Sequence, residues 1–198
     1  MSVSYGILST YPPTQCGLAS FSRSLADSLR SPDTIGVVQL VDAVGEAFPH
    51  DVVHQWVRGS AGGDVAATAA LNQFDVAIVQ HEYGIYGGRD GLDVLDAVAG
   101  LRVPVVLVVH TVLTEPSHRQ RLIVQELASR SAVVVTMTKA ARERLVKHYE
   151  IDADTICVVP HGAHPGYLAA RSLAEAPGAA APAPTADASR SRRPATPR

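Results

Sequence analysis

The sequence predicts an α/β fold, a Rossmann-like, doubly wound and mainly parallel sheet flanked by helices and followed by a disordered C-terminal tail. Short runs rich in valine and isoleucine are apolar on successive residues, which is typical of strands buried on both faces. Segments with apolar residues at every third or fourth position separate these runs and indicate amphipathic helices. The alternation of strands with helices favours an open parallel sheet.

Strands are predicted at six apolar runs, which comprise residues 5–8, 35–41, 75–79, 103–109, 132–137 and 156–159. Residues 52–57 are a weaker candidate for a further strand. The apolar face of the first helix is formed by Leu18, Phe21, Leu25 and Leu29, and a later helix repeats the spacing at Leu92, Leu95 and Val98.

The starts of three helices are indicated by capping residues. Ser117 and Gln120 have the spacing of a capping box, in which each side chain bonds the backbone of the other residue. Thr138 can cap the helix that follows, and Asp64 can cap a short alanine-rich helix.

Composition limits the class of protein. The 198 residues suit one domain with a tail, and 46% apolar residues are enough for a core. A net charge of −2 gives no general attraction for nucleic acid or an anionic membrane. We find no apolar run of about 18–20 residues, no secretory signal and too few cysteines for a disulfide framework. A cytoplasmic protein without a transmembrane segment or nucleic-acid partner is expected.

The C-terminal end differs in composition from the rest. Residues 174–198 contain no Val, Ile, Leu, Met or aromatic residue, and they carry four arginines against Glu175 and Asp187, a net charge of +2. Such a segment cannot bury enough apolar surface to offset the entropy of ordering it. A domain over residues 1–168 and a disordered low-complexity tail over 169–198 are therefore predicted. The arginines at 190–193 can contact nucleic acid or lipid, or be solvated, and so short a cluster favours solvation.

Polar and glycine-rich segments follow four of the strands, and they comprise residues 10–17, 80–88, 110–113 and 160–165. Open parallel sheets bind ligands outside the carboxyl ends of their strands, so a cleft is predicted where these segments meet. The helix that begins near Gly17 directs its N-terminal amides to that edge and can receive a phosphate or carboxylate.

Each candidate also has a purely structural interpretation. His81 and His110 can be histidines with satisfied structural hydrogen bonds. Glu82 can be a general acid or base, or a capped surface carboxylate. Gly87 and Gly88 can mark a flexible loop that needs no ligand.

Three further side chains invite chemistry that the sequence supports weakly. Cys16 can be a nucleophile activated by the nearby helix start, but the sequence shows no base for it, so a small packed thiol is the simpler interpretation. His161 and His164 suggest a metal, yet no carboxylate or cysteine stands at ligand spacing, so no metal site is predicted. Dinucleotide, Walker, nucleophile-elbow and zinc-protease motifs are missing as well.

Taken together, four segments resemble the motifs of family 4 glycosyltransferases with the GT-B fold. They are residues 9–21 with Cys16, Gly17 and Leu18; 80–88 with His81, Glu82, Tyr83, Gly87 and Gly88; 109–112 with His110 and Thr111; and 159–162 with His161 and Gly162. The resemblance covers about residues 4–165.

The resemblance implies the N-terminal, acceptor-side half of a retaining hexosyltransferase. Members transfer a sugar from a nucleotide-sugar to an acceptor hydroxyl across a cleft between two Rossmann-like domains, generally without a metal or other cofactor. The second domain holds the donor with a basic pair and a Glu-x7-Glu motif, and no such stretch follows residue 168. We therefore expect little activity from this chain alone, and a separate donor domain or a homo-oligomer is an expected partner.

The resemblance also implies a role for each residue. His110, the predicted catalytic residue, would hydrogen-bond a sugar hydroxyl and orient the donor. Amides at residues 16–19 would stabilise the charge of the leaving diphosphate. The acceptor side would be shaped by His81, Glu82 and Tyr83, and the other matched residues would complete the substrate-binding surface.

Two other classes of function remain open. A Rossmann-like module that binds a sugar, a phosphate or a partner would bind its ligand but gain no turnover from an added donor domain. A hydrolase acting through His81 and Glu82 is disfavoured, because the sequence shows no nucleophile or set of metal ligands.

Overall fold

The computed structural model describes residues 2–30, 33–45 and 49–162. The chain divides into two compact units, Met1–Pro160 and His161–Arg198, and every strand and helix described below belongs to the first. Most of the second unit, including the whole predicted tail and His164, lies outside the described residues.

Strands and helices alternate as predicted. The strands are β1 Ser4–Ser9, β2 Thr34–Val41, β3 Val52–Val57, β4 Val76–His81, β5 Val105–Val109, β6 Val133–Thr136 and β7 Ile156–Val158. The helices are α1 Gly17–Leu29, α2 Gly63–Leu71, α3 Val94–Ala99, α4 His118–Ser129 and α5 Lys139–Tyr149. Short 3-10 turns occupy Arg89–Gly91 and Ala153–Thr155.

The strands form one sheet in the order β3-β2-β1-β4-β5-β6-β7, and each neighbouring pair is parallel. This confirms the predicted Rossmann-like fold. The chain runs outward from β1 in one direction and, after β3, resumes at β4 on the other side of β1. The boundary between β1 and β4 is thus the topological switch point, where folds of this kind bind ligands.

Helices cover the two faces of the sheet unequally. On one face, α1 packs over β1 and β2 through Ala26, with Leu25 and Leu29 at its margin. The buried side chains of α2, α3, α4 and α5 belong to the core cluster of the opposite face. No helix among the described residues is long and apolar enough to cross a membrane.

The buried side of α1 differs from the prediction. Its buried residues are Ala19, Ser22 and Ala26, whereas the predicted apolar face, Leu18, Phe21, Leu25 and Leu29, is only half-buried. Small side chains let the helix lie close to the sheet, so the larger ones are displaced to its flanks. Phe21 is thereby free to contact the carboxyl edge of the sheet.

Two of the three predicted caps are confirmed. Ser117 and Gln120 form the complete capping box of α4, and the Thr138 hydroxyl accepts from the backbone N–H of Ala141 at 3.0 Å. The prediction for Asp64 is wrong, because Gly62 is the N-cap of α2 and adopts a left-handed φ of 73°. Asp64 lies instead in the first turn, where its charge favourably faces the positive end of the helix dipole.

Candidate functional site

Three chain segments leave the same edge of the sheet around the switch point. β1 ends at Ser9, β4 at His81 and β5 at Val109, and these strands are parallel. Since the carboxyl ends of parallel strands lie at one edge, residues 10–16, 82–93 and 110–117 begin beside one another. The start of α1 is at the same edge.

A row of polar side chains lies beneath α1 at this edge. Ser9 pairs in register with Gln39, and the pairing of Leu8 with Val79 puts Gln80 beside Ser9. Ser9, Gln39 and Gln80 are all fully or almost fully buried. Side chains alternate between the faces of a strand, so these three share the face that α1 covers.

Each member of the row secures one part of the edge. The Ser9 hydroxyl is 2.7 Å from that of Ser22 and ties α1 to β1. The Gln39 side-chain amide donates to the carbonyl of Tyr11 at 2.8 Å and holds the segment that follows β1. The Gln80 Oε1 atom lies 2.6 Å from Nε2 of His110.

His110, the predicted catalytic residue, is held from three directions. Its backbone N–H donates to the carbonyl of His81 at 3.1 Å, which extends the pairing of β4 with β5 by one residue. Gln80 contacts one ring nitrogen, and Phe21 of α1 meets the ring edge to face with centroids 4.9 Å apart. The half-buried imidazole thus joins α1, β4 and β5 at the switch point.

The start of α1 is capped by a thiol. The Sγ atom of Cys16 accepts from the backbone N–H of Ala19 at 3.3 Å and lies 3.3 Å from the hydroxyl of Thr10. Cys16 therefore serves as the N-cap, a structural use of the sulfur that neither predicted alternative specified. Leu18 packs against the core cluster of the opposite face, which places this end of the helix over the sheet edge.

Gly17 leaves the helix start open. A Cβ atom at this position would have no neighbour within 4 Å. The first amides of a helix have no carbonyl partner inside the helix, and the helix dipole favours negative charge there. An anion can therefore approach the backbone of α1 at Gly17 without displacing a side chain.

A charge network with a buried carboxylate and a partly exposed arginine supports the same segment. The Tyr11 hydroxyl donates to Asp51 at 2.9 Å, and Arg30 donates to both oxygens of that carboxylate at 2.7 Å. The bonds from Arg30 lower the pKa of Asp51, while burial, followed by the bond to Asp51, raises the pKa of Tyr11 to about 12. This network fixes the Tyr11 ring under α1 and thereby positions the loop that follows β1.

His81 is positioned quite differently from His110. It is 1% exposed, and its ring meets Tyr83 edge to face with centroids 4.9 Å apart. Burial lowers its pKa to about 4, and the neighbouring His110 adds to the effect. Side-chain alternation turns His81 to the face opposite Gln80, so its ring is neutral at ordinary pH and closed to solvent.

Glu82 links the segments that follow β4 and β5. One carboxylate oxygen accepts from the backbone N–H of Tyr83 at 3.0 Å, and the other accepts a short hydrogen bond from the Thr111 hydroxyl. The Tyr83 hydroxyl in turn lies 3.1 Å from that of Tyr149, which accepts from the backbone N–H of Leu113. The geometry of Glu82 is that of a capped carboxylate.

The two predicted glycines of the β4 loop are needed for its backbone. A Cβ atom at Gly87 would collide with the Asp93 carboxylate and come within 2.7 Å of the backbone nitrogen of Gly59. Gly88 adopts a φ of +75°, which favours glycine. These residues shape the loop beside the site, whether or not they also contact a ligand.

Two residues of the last predicted segment, His161 and Gly162, belong to the second compact unit, and both are exposed. Within residues 2–30, 33–45 and 49–162, no three His, Cys, Asp or Glu side chains are grouped as metal ligands would be.

Sequence reasoning missed Gln39, and it included Gln80 and Phe21 in the candidate segments without giving either residue a role. Gln39 carried a usable signal, because it interrupts an apolar run that is typical of a strand buried on both faces, and Gln80 directly follows another such run. A polar side chain at such a position needs a buried partner, and here the partners are the loops of the site. Phe21 carried no such signal, since it fits the apolar face of a helix.

Two of the comparisons with known proteins, with family models and with solved structures, give matches. The sequence model of Glycosyltransferase Family 4 matches residues 24–166. Among solved structures, 16 chains match, and one of them is described as an alpha-glucosyltransferase in complex with UDP and a 13-mer DNA containing a central A:G mismatch. That chain has a TM-score of 0.53 and 15% identity over 70% of this chain, a likeness that shows a shared fold.

The match covers 38% of the length of that solved chain. No curated protein matches the sequence. The family match includes the segments after β4 and β5, with Gln80 and His110, while the start of α1 precedes it.

Proposed function

Because the chain belongs to glycosyltransferase family 4, whose model matches residues 24–166, we propose that it is the acceptor-side domain of a retaining hexosyltransferase. It contributes to transfer of a hexosyl group from a nucleotide-sugar to an acceptor hydroxyl. A second Rossmann-like domain, supplied from outside the described residues, binds the nucleotide. The observation that carries the proposal is the meeting of α1, β4 and β5 on the ring of His110 at the switch point.

The start of α1 is assigned to the leaving group. When the bond between the anomeric carbon and the diphosphate breaks, negative charge accumulates on the phosphate oxygens. The open backbone at Gly17 offers amide donors and the positive end of a helix dipole to that charge. A fixed donor at such a position contributes about 10²–10³ in rate, because it needs no reorganisation during the reaction.

The acceptor proton goes to the leaving group. In a retaining front-face reaction, the acceptor oxygen bonds the anomeric carbon on the face from which the diphosphate departs, and a phosphate oxygen takes the hydroxyl proton. Because the leaving diphosphate takes the proton, the reaction requires no protein nucleophile or base. That suits Glu82, whose two oxygens are already engaged by Tyr83 and Thr111.

The other role of the domain is to position the donor sugar and the acceptor. His110 hydrogen-bonds a hydroxyl of the donor sugar, and the linked segments after β4 and β5 form the wall for the acceptor. Holding two reactants in a reactive geometry removes a large entropic part of the barrier. The secured loops of this edge provide that rigidity.

The test combines this chain with a donor domain. The 198-residue chain is fused to, or mixed with, the C-terminal domain of a family 4 glycosyltransferase, and release of nucleoside diphosphate is measured with a panel of nucleotide-sugars. We expect turnover from the combination and little from the chain alone. Ligand binding that no donor domain converts into turnover would instead identify a binding module.

The role of His110 is tested in the active combination. His110→Ala is expected to lower kcat about 100-fold and the free energy of unfolding by about 1–3 kcal/mol, because the buried Gln80 oxygen loses its partner. The matched control is His148→Ala on α5, a half-buried histidine to which the proposal gives no role. Loss of folding in His110→Ala, or equal activity of the two variants, contradicts the assignment.

A further inference from the structure

Gln80 is a buried glutamine in the strand at the centre of the site. It is 0% exposed and lies next to His81, the last residue of β4, after a run of four apolar residues over 76–79. Its backbone carbonyl accepts from the Tyr86 hydroxyl at 2.6 Å, which fixes the residue from the loop side. Gln80 is therefore restrained both at its backbone and at the end of its side chain.

The side chain makes one hydrogen bond at its oxygen. Oε1 lies 2.6 Å from Nε2 of His110, a short distance for a neutral pair. A carbonyl oxygen only accepts, so this bond requires a proton on Nε2 of the imidazole. In the neutral ring the lone pair is then on Nδ1.

Stability does not account for this glutamine. Its side-chain nitrogen is buried and has no hydrogen-bond partner among the described residues. Burying a polar group without a partner is unfavourable, and an unbranched apolar side chain would avoid that cost. The contact that only a polar side chain can make here is the one with His110.

Two further contacts restrain His110 without acting on either ring nitrogen. The bond from the His110 backbone to His81 fixes the backbone of the histidine, and the edge-to-face contact with Phe21 fixes one side of the ring. Neither contact distinguishes the two ring nitrogens. A hydrogen bond to one nitrogen does.

We infer that Gln80 is the positioning residue of His110, holding the imidazole by its Nε2–H through Oε1 and so determining which ring nitrogen is protonated. A ring held in this way keeps a fixed orientation toward a hydroxyl of the donor sugar. The consequence for catalysis rests on the function proposed above, whereas the tautomer and its dependence on Gln80 are properties of the chain itself.

The test measures the Nε2 proton of His110 by NMR. The whole 198-residue chain is labelled with ¹⁵N-histidine at pH 7.5, and the His110 signals are identified by their loss in His110→Gln. We expect the proton on Nε2, with exchange against water slowed by the hydrogen bond. A proton on Nδ1 overturns the inference, because it requires the Gln80 amide to donate; this measurement needs no Gln80 variant to fold.

Three substitutions test whether protection of the His110 Nε2 proton depends on the side-chain oxygen of Gln80. Gln80→Met keeps the length and removes the acceptor, so we expect Nε2–H exchange to become at least tenfold faster, with the melting temperature maintained or raised. Gln80→Glu retains an acceptor oxygen and is expected to keep the proton protected. Gln125→Met, on α4 where the side chain bonds Glu150, is the control and should leave the His110 signal unchanged. Unchanged protection in a folded Gln80→Met chain overturns the inference.

Catalysis provides a separate readout. In the active two-domain combination, Gln80→Met is expected to lower kcat about tenfold with little change in KM. Absence of turnover in every combination, including the unsubstituted one, counts against the proposed function and leaves the NMR result standing. A wild-type kcat in Gln80→Met, in an otherwise active enzyme, contradicts a positioning role.

Discussion

The rings of Phe21 and His110 meet at an interplanar angle of 84°, with centroids 4.9 Å apart. Phe21 belongs to the second turn of α1, and His110 directly follows β5, so the contact joins elements on the two sides of the switch point. An edge-to-face arrangement places the positive rim of one ring against the negative face of the other. It fixes the imidazole plane relative to the helix whose start is assigned to the leaving diphosphate.

Replacing Phe21 with leucine should affect function more than stability. Phe21 is half-buried, so losing the aromatic contact is expected to lower the free energy of unfolding by about 1 kcal/mol. The imidazole gains freedom, and turnover in the two-domain combination should fall about tenfold. Urea unfolding and steady-state kinetics measure the two effects. Phe21→Tyr keeps the ring and should remain near wild type; equal losses in both variants would show that the aromatic contact is unimportant.

His81 makes stability fall in mildly acidic solution. Burial lowers its pKa from 6.5 to about 4, so between these values the unfolded chain binds a proton that the folded chain does not. The contribution of neutral, buried His81 to the free energy of unfolding is complete above pH 6.5 and is lost as the pH falls toward 4. The free energy of unfolding should decrease by up to about 1.4 kcal/mol per pH unit in this window.

Substitution separates the effect of His81 from other acid-sensitive groups. His81→Leu fills similar space without a titrating ring, so the pH dependence between 6.5 and 4 should become shallower. His148→Gln, on α5, should retain the wild-type slope. The measurement is urea unfolding at half-unit steps of pH; parallel slopes in wild type and His81→Leu would show that His81 is not a buried neutral histidine.

Gly87 and Gly84 of the β4 loop should respond differently to the same substitution. A methyl group at Gly87 meets the Asp93 carboxylate and the backbone of Gly59, whereas at Gly84 it has no neighbour within 4 Å. Gly87→Ala is expected to destabilise the fold by about 1–3 kcal/mol, and Gly84→Ala to change it by less than about 0.5 kcal/mol. Thermal unfolding of both variants tests the difference, and similar melting temperatures would contradict the close approach of the loop to Gly59.

Periodicity predicted the architecture well because the strands are buried on both faces. Residues 34–41 illustrate this: six consecutive buried positions leave an unmistakable apolar run. The burial of α1 was harder to predict, because its contacts with the sheet use Ala19, Ser22 and Ala26, whose hydrophobicity is low. Close approach of a helix to a sheet depends on small volume, which a hydrophobic pattern does not record.

The site was predictable at the level of segments and less so at the level of atoms. The motifs placed His110 and the start of α1 at one edge, but whether a side chain faces the cleft or the core depends on strand alternation and on its partners. His81 and Gln80 are neighbours in sequence, yet alternation sends them to opposite faces. The capped state of Glu82 likewise depends on Thr111, which is distant in sequence and adjacent only in the folded sheet.

Gly17→Ala tests the helix start without disturbing the fold. The added methyl group meets no atom within 4 Å, and alanine favours helix more than glycine does by up to about 1 kcal/mol, so the free energy of unfolding should be unchanged or slightly raised. If the leaving diphosphate contacts the backbone of α1, the methyl group occupies part of its space, and turnover should fall at least tenfold. Ser24→Ala, exposed on the same helix, is the matched control and should retain full activity. A stable Gly17→Ala variant with wild-type kinetics would place the leaving group elsewhere, because a ligand in contact with that amide has no room for the additional carbon.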